Sequence, residues 1–257
     1  MTTLRRLCLR AAQVADPNEK LTATGAIASN EEVGACESFD DVPRGVRATP
    51  VLVPASKLTQ RSIHTRDGRA ALIHALAHIE LNAVDLALDI VWRFAGMPDD
   101  FYRQWVKVAQ EEAYHFTLLR DHLRGMGFEY GDFSAHGALW EMAEKTKGDV
   151  LARVALVPRT LETRGLDASP PIKAKLVNAG DIRAGEILDV ILRDEIKHVA
   201  LGNYWFRWLC TERRLEPVAT YTELAAQYAA PKPRGPFNLI ARREAGFTEE
   251  ELRALES

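Results

Sequence analysis

The segment ILRDEIKHVALGNYWF, residues 191–206, carries Glu195 and His198 three positions apart in a run otherwise rich in apolar and aromatic residues. On a helix, residues three apart lie on the same face, so these two side chains can bind one metal ion. One Glu-x-x-His motif is weak evidence, because such a motif is expected by chance. The segment EEAYHF, residues 111–116, repeats it with Glu112 and His115. Two helices are therefore predicted to turn a carboxylate and an imidazole inward.

The spacing of apolar residues by three and four predicts long helices over residues 67–95, 98–124, 139–164 and 181–212. The buried stripe of the first helix is apolar except for Glu80, and a lone acid there needs a positive partner. Pro158 is expected to kink the third helix or open one of its hydrogen bonds. The sequence LDASPP predicts a break after it, followed by a short helix over 172–178.

The first and third helices each supply one further glutamate, Glu80 and Glu162. The interval from Glu80 to Glu112 is 32 residues, and the interval from Glu162 to Glu195 is 33. The two motifs themselves lie 83 residues apart, which separates both Glu112 from Glu195 and His115 from His198. The two halves therefore repeat one order, Glu and then Glu-x-x-His. This is the ligand pattern of ferritin-like dinuclear carboxylate proteins, in which two helices give a Glu and two give a Glu-x-x-His.

The pattern predicts two metal ions per chain, held by six ligands: Glu80, Glu112, His115, Glu162, Glu195 and His198. Four glutamates balance the charge of two divalent ions. Mixed carboxylate and imidazole ligation suits iron, which we favour, or manganese, and it tolerates zinc. Glu162 also lies near Arg159 and Arg164, so an ordinary ion pair is an alternative for it. His74 and His78 do not share the Glu80 stripe and are expected to have structural roles.

The motifs EEAYH and DEIKH resemble the paired signatures of ferritin-like di-iron oxidases, monooxygenases and desaturases. The chain from about residue 40 to 215 is more closely similar to the DUF455 family of bacterial ferritin-like proteins, through GRAALIHALAHIELNAVDLALD, DFSAHGALWEMAEKT, ALVPRTLETRGLD and ILRDEIKHVALGN. The resemblance implies a helical bundle with a dinuclear centre and leaves the substrate open. It also implies that Glu111 and Asp194 each accept a hydrogen bond from the distal nitrogen of the other motif's histidine.

The expected fold is all-α, a ferritin-like four-helix bundle over residues 67–212. An extended N-terminal arm, residues 1–66, is expected to pack on it, because Pro43, Pro50 and Pro54 disfavour regular structure. A short helix is expected within the arm over 4–15. Residues 213–257 form a C-terminal extension, whose last helix is predicted from Thr248 and Glu251 in capping-box spacing.

The expected function is oxidation or hydroxylation of a small molecule with O2 or peroxide, with a separate electron donor as a further partner. Metal storage or detoxification, a hydroxylase that modifies tRNA, and a bundle that has lost its metals are the alternatives.

The net charge of −3 gives no general attraction to nucleic acid or anionic membranes. Three cysteines, an odd number, disfavour a disulfide framework and favour a reducing cytoplasm. No apolar run approaches the length of a membrane span, and the sequence leaves the oligomeric state open.

Overall fold

The computed structural model describes residues 2–255, and the regular secondary structure in that range is helical, with one isolated bridge between Leu52 and Ala135 but no strand. This confirms the all-α class. Contacts within the chain divide it into two compact units, Met1–Trp140 and Glu141–Ser257. The domain boundaries predicted at residues 66 and 212, like the ferritin-like bundle, stay predictions.

The helices of the first unit are α1 Leu4–Gln13, α2 Pro17–Gly25, α3 Arg66–Arg93 and α4 Asp99–Gly125. The unit is built on the long pair α3 and α4, whose short connection makes them antiparallel neighbours. Two shorter N-terminal helices contact this pair, α1 against α3 and α2 against α4. A 3₁₀ turn, Ala55–Lys57, interrupts the irregular segment between α2 and α3.

The arm is more helical and more deeply packed than the sequence analysis predicted. Helix α2 was missed, although Asp16 caps it by accepting a hydrogen bond from the Glu19 amide and Pro17 occupies its first turn. From α1, the buried Arg5 guanidinium donates to the carbonyls of Val91 and Trp92 in the last turn of α3. A cation at that end of a helix is favourable, because the carbonyls there have no partners within the helix.

The second unit begins within a helix, α5, that starts in the first. Its helices are α5 Ala138–Lys145, α6 Val150–Leu156, the π-helix Val157–Glu162, α7 Thr163–Asn178, α8 Ile182–Arg213, α9 Pro217–Gln227, α10 Leu239–Glu244 and α11 Glu249–Leu255. In α11 the predicted capping box is confirmed, because the Thr248 amide donates to Glu251 Oε2 and the Glu251 amide to Thr248 Oγ1.

The predicted third helix, 139–164, begins where α5 begins but is wrong in its interior and at its C-terminal end. It is interrupted between α5 and α6, where Asp149 caps α6 by accepting from the Leu151 amide. Beyond residue 164, α7 continues through the predicted break, because Pro170 and Pro171 face solvent while Leu166 and Leu176 hold α7 in the core.

Pro158 changes the winding of the chain, as the sequence predicted in outline. A proline has no amide hydrogen to donate, and residues 157–162 form a π-helix. Thr160 Oγ1 donates to the Ala155 carbonyl over 2.7 Å, which satisfies one acceptor in the widened turn. Gly202 of α8 passes so close that a Cβ there would lie 3.0 Å from Pro158 Cβ. The π-helix that ends at Glu162 is therefore fixed by close packing on α8.

Helix α3 is long and apolar enough to cross a membrane by length and composition alone. However, 72% of the most apolar 18-residue stretch of this helix is buried within the protein, as is usual for a core helix. The structure is therefore compatible with a soluble protein, and the cytoplasmic location stays a prediction.

Candidate metal centre

Three of the predicted ligands meet between α3 and α4. Glu80 projects from the middle of α3, while Glu112 and His115 project from one face of α4. All three side chains are buried, and Glu112 and His115 are fully inaccessible. An antiparallel pair brings these positions level, because each lies near the middle of its helix. The first half of the predicted pattern is therefore assembled within the first unit.

The imidazole of His115 is placed between the two carboxylates. Its Nδ1 lies 3.2 Å from Glu112 Oε2 and 3.3 Å from Glu80 Oε2. One ligand atom from each of the three residues lies within 4.8 Å of the others. Metal–ligand bonds of about 2.0–2.2 Å place two ligands of one ion up to roughly 4 Å apart, so this spacing suits a shared cation.

The electrostatics of the cluster show how it balances charge with protons. Burial raises the pKa of Glu80 to about 7, although its hydrogen bond with His115 opposes the rise. Burial alone would lower the pKa of His115, but hydrogen bonds to Glu112 and Glu80 raise it to about 11. A protonated imidazole therefore supplies the positive charge that two buried carboxylates require. A divalent cation, with two positive charges, would neutralise both carboxylates and displace that proton.

The second unit contains the corresponding Glu-x-x-His pair on α8. Glu195 and His198 are both buried, and His198 Nδ1 lies 3.5 Å from Glu195 Oε1. Both histidines therefore turn the same ring nitrogen, Nδ1, toward the glutamate of their own motif. Glu162, the last residue of the π-helix, is half-buried. The ligand roles of Glu162, Glu195 and His198 stay predictions.

The residues of the first unit fit a metal ion by the chemistry of their donors. Two carboxylates and an imidazole nitrogen are ligands for iron, manganese or zinc, and the cluster lies in a buried environment. This buried Glu/His group could hold a metal ion. Neither the identity nor the number of ions follows from the geometry.

The residues expected to support the histidines have partners on their own helices. Asp194 is buried and accepts hydrogen bonds from Arg193 and Lys197, at 2.8 Å and 2.9 Å for the closest contacts. Glu111 lies 3.6 Å from Lys107 Nζ. The predicted hydrogen bonds, from the distal nitrogen of His115 to Asp194 and from that of His198 to Glu111, stay predictions.

Sequence analysis missed a second polar stripe on α3. This stripe consists of four buried residues spaced by four, four and three positions, on a different side of the helix from the apolar stripe that carries Glu80: His74, His78, Asn82 and Asp85. His74 Nε2 accepts from the Gly131 amide, and His78 Nδ1 lies 2.7 Å from the Tyr130 hydroxyl. The two histidines thus have the structural roles expected of them. The helical spacing of four polar residues was the signal for the stripe.

Comparisons with known proteins agree with the motifs. A family model described as "Protein of unknown function (DUF455)" matches residues 13–253. A relative from Haemophilus influenzae, named "Uncharacterized protein", is 46% identical over 210 residues, which cover 79% of this chain and 73% of the relative. No solved structure matches. The family match spans nearly all of the chain, from the end of α1 into α11, so this protein is a member of the DUF455 family.

Proposed function

We propose that this protein is a dinuclear metal–carboxylate protein that oxidises or hydroxylates a small molecule with O2 or peroxide. The proposal rests on one observation, the placement of His115 Nδ1 between Glu80 and Glu112 in a buried setting. The second unit repeats the motif with Glu195 and His198, and its π-helix ends at Glu162. In this proposal the two halves close on one centre that holds two ions, with iron favoured over manganese or zinc.

When bound, the metal pair would supply the redox chemistry and the affinity for O2. The protein would contribute geometry and charge. Glu80 and Glu112 would neutralise an incoming cation, while His115 would give up the proton that it holds between them. The flanking core positions, including Val84, Ala109 and Phe116, are apolar and buried and would limit the access of water.

Metal analysis of protein purified without chelator tests this proposal directly. We expect about two ions per chain in the wild type, as in related dinuclear bundles, and fewer in His115→Ala and His198→Ala. His64→Ala is the matched control, because His64 is exposed and lies outside the pattern. Full occupancy in both ligand variants would contradict the assignment.

The same preparation separates the alternatives. After anaerobic loading with Fe(II), an oxidase should consume O2 in proportion to an added substrate and electron donor. A storage protein should take up iron far beyond two ions per chain, in a large assembly visible by sedimentation. Salt-sensitive binding of tRNA would favour the tRNA-modifying alternative. Protein that binds no metal in any form would show that the bundle has lost its centre.

A further inference from the structure

The second polar stripe of α3 has a fully buried carboxylate, Asp85, that faces three cations from the arm. Lys20 Nζ lies 2.6 Å from Asp85 Oδ1, and Arg44 Nη1 lies 2.9 Å from Asp85 Oδ2. Arg47 Nη2 forms an ion pair with the same Oδ2. The side chains of Lys20 and Asp85 are inaccessible to solvent, and that of Arg47 is only 7% exposed. We call Lys20, Arg44, Arg47 and Asp85 the Asp85 cluster.

The charges within this cluster do not balance. Lys20 also donates to the carbonyls of Ala11 and Ala12, in the last turn of α1, and these partial negative charges offset part of its charge. Two guanidinium groups then share one carboxylate. Burial raises the pKa of Asp85, but the combined effect of Arg47, Lys20 and Arg44 is larger and lowers the pKa below its usual value, so the carboxylate is ionised. A net positive charge therefore remains, and an uncompensated buried charge is costly.

Arg47 also has hydrogen-bonding capacity that the protein does not use. Its Nη2 donates to Asp85 Oδ2 and to the Leu81 carbonyl. Its buried Nε has no hydrogen-bond partner among the residues that the structure describes. A buried donor left without an acceptor destabilises the folded state, so an acceptor from outside the protein would be favourable here.

Arg44 is the member of the Asp85 cluster that solvent reaches most. Its side chain is 18% exposed, and its guanidinium lies over the Trp140 ring, 4.2 Å from the ring centroid. The stacking leaves the edge of the guanidinium plane available for hydrogen bonds. Because Arg44 and Arg47 both contact Asp85 Oδ2, their guanidinium groups are close neighbours.

The backbone that carries both arginines is held in place. The Gly45 amide donates to the Ala12 carbonyl over 3.0 Å, and a Cβ at position 45 would collide with the backbone of Gln13 and Val14. Only glycine permits this close approach to the end of α1. The two guanidinium groups are therefore presented by a fixed segment, as a preorganised binding site requires.

We propose that Arg44 and Arg47, beside Asp85, form a binding site for the oxyanion group of a small molecule, a phosphate or a carboxylate. Planar guanidinium groups match the oxygen spacing of both anions and can bind them with paired hydrogen bonds. The anion would accept from Arg47 Nε and balance the excess charge. This site is separate from the Glu80 cluster, because Asp85 lies on the polar stripe of α3 and Glu80 on its apolar stripe, and it does not depend on bound metal.

Calorimetric titration of the full chain with inorganic phosphate, sulfate and acetate, at constant ionic strength, tests the proposal. We expect saturable binding of at least one anion to the wild type, accompanied by a rise in melting temperature. Binding of phosphate and sulfate without acetate would identify a phosphate-type site, and binding of acetate would identify a carboxylate site. The absence of saturable binding for all three would overturn the proposal.

Two variants locate the binding. Arg44→Gln should weaken the binding of the anion at least tenfold, because the loss of one hydrogen bond from a charged group costs about 1.5–3 kcal/mol. Arg10→Gln removes the same charge from an exposed position on α1 and should bind like the wild type. Equal affinity in Arg44→Gln and the wild type would overturn the proposal. Arg47→Lys keeps the positive charge at this buried position, so it is the variant to use if more drastic changes prevent folding. It should also bind the anion more weakly than the wild type, because an ammonium group lacks the paired hydrogen bonds of the planar guanidinium.

Discussion

Arg159 of the π-helix forms an ion pair with Glu251 of α11, which joins the end of the chain to the turn that precedes Glu162. The Arg159 side chain is nearly inaccessible, and its guanidinium also lies over the rings of Phe206, Tyr221 and Phe247. The C-terminal helices therefore hold the π-helix from outside, through one buried cation.

Glu251→Gln should destabilise the protein, because it leaves the Arg159 charge buried with a weaker acceptor. The expected loss is about 3 kcal/mol, as for other buried pairs that lose one partner. Thermal or urea unfolding would measure it. Glu250→Gln is the matched control, since Glu250 is exposed on the same helix. Equal stability of the two variants would show that the ion pair does not hold the π-helix.

Gly202→Ala should lower stability, because the new Cβ would lie 3.0 Å from Pro158 Cβ and 3.4 Å from the Arg159 backbone nitrogen. The cost of such overpacking is about 1–3 kcal/mol. Gly165→Ala is a control of the opposite sign, since a Cβ there meets nothing within 4 Å. Alanine in that helix should stabilise by roughly 0.5–1 kcal/mol. Urea unfolding of both variants would check the pair, and a stable Gly202→Ala protein would contradict the close packing.

Removal of bound metal should lower the melting temperature of the proposed holoprotein. Metal binding stabilises the folded state by mass action, and its loss leaves Glu80 and Glu112 with only the His115 proton between them. Calorimetry before and after chelation would measure the shift. His115→Ala should show a smaller shift than the wild type. If chelation leaves the melting temperature of metal-containing wild type unchanged, the metal does not bind at this cluster.

Glu129 should make stability depend on acid pH. Burial opposes ionisation, but hydrogen bonds from Arg120, Arg124 and the Tyr130 amide together outweigh it and lower the pKa of Glu129 from 4.5 to about 2. A lowered pKa in the folded state stabilises the protein above the unfolded value and loses this effect as pH falls from about 4.5 toward 2. The Glu129 carboxylate is 43% exposed, so solvent screening limits the contribution to about 1 kcal/mol or less.

Urea unfolding of the wild type and Glu129→Gln at pH 6 and pH 3 would measure this dependence. The difference in stability between the two proteins should be smaller at pH 3. Glu144→Gln, at an exposed position in α5, is the control and should show little change in that difference. A gap between wild type and Glu129→Gln that stays constant across this range would contradict the pairing with Arg120 and Arg124.

Helical periodicity was sufficient to predict three of the four long helices, those seen as α3, α4 and α8, and the inward placement of Glu80, Glu112 and His115. It works there because α3 and α4 each bury one apolar stripe and connect through a short loop. It failed around Pro170, where a proline that faces solvent is tolerated within α7. It also failed at Asp85, because the cations that stabilise this carboxylate come from Lys20, Arg44 and Arg47, far away in sequence. Local patterns do not encode such long-range pairings.

The position of Lys20 has a practical consequence for work with this protein. Its ammonium group contacts both the end of α1 and Asp85 of α3. From the sequence, α1 was expected to belong to a peripheral arm and α3 to the core, yet this one side chain connects them. A shortened version that begins at α3 would expose the Asp85 carboxylate without its counterions. Truncated proteins that contain the motif-bearing helices alone should therefore aggregate or misfold, whereas those that retain α1 and α2 should fold and stay in solution.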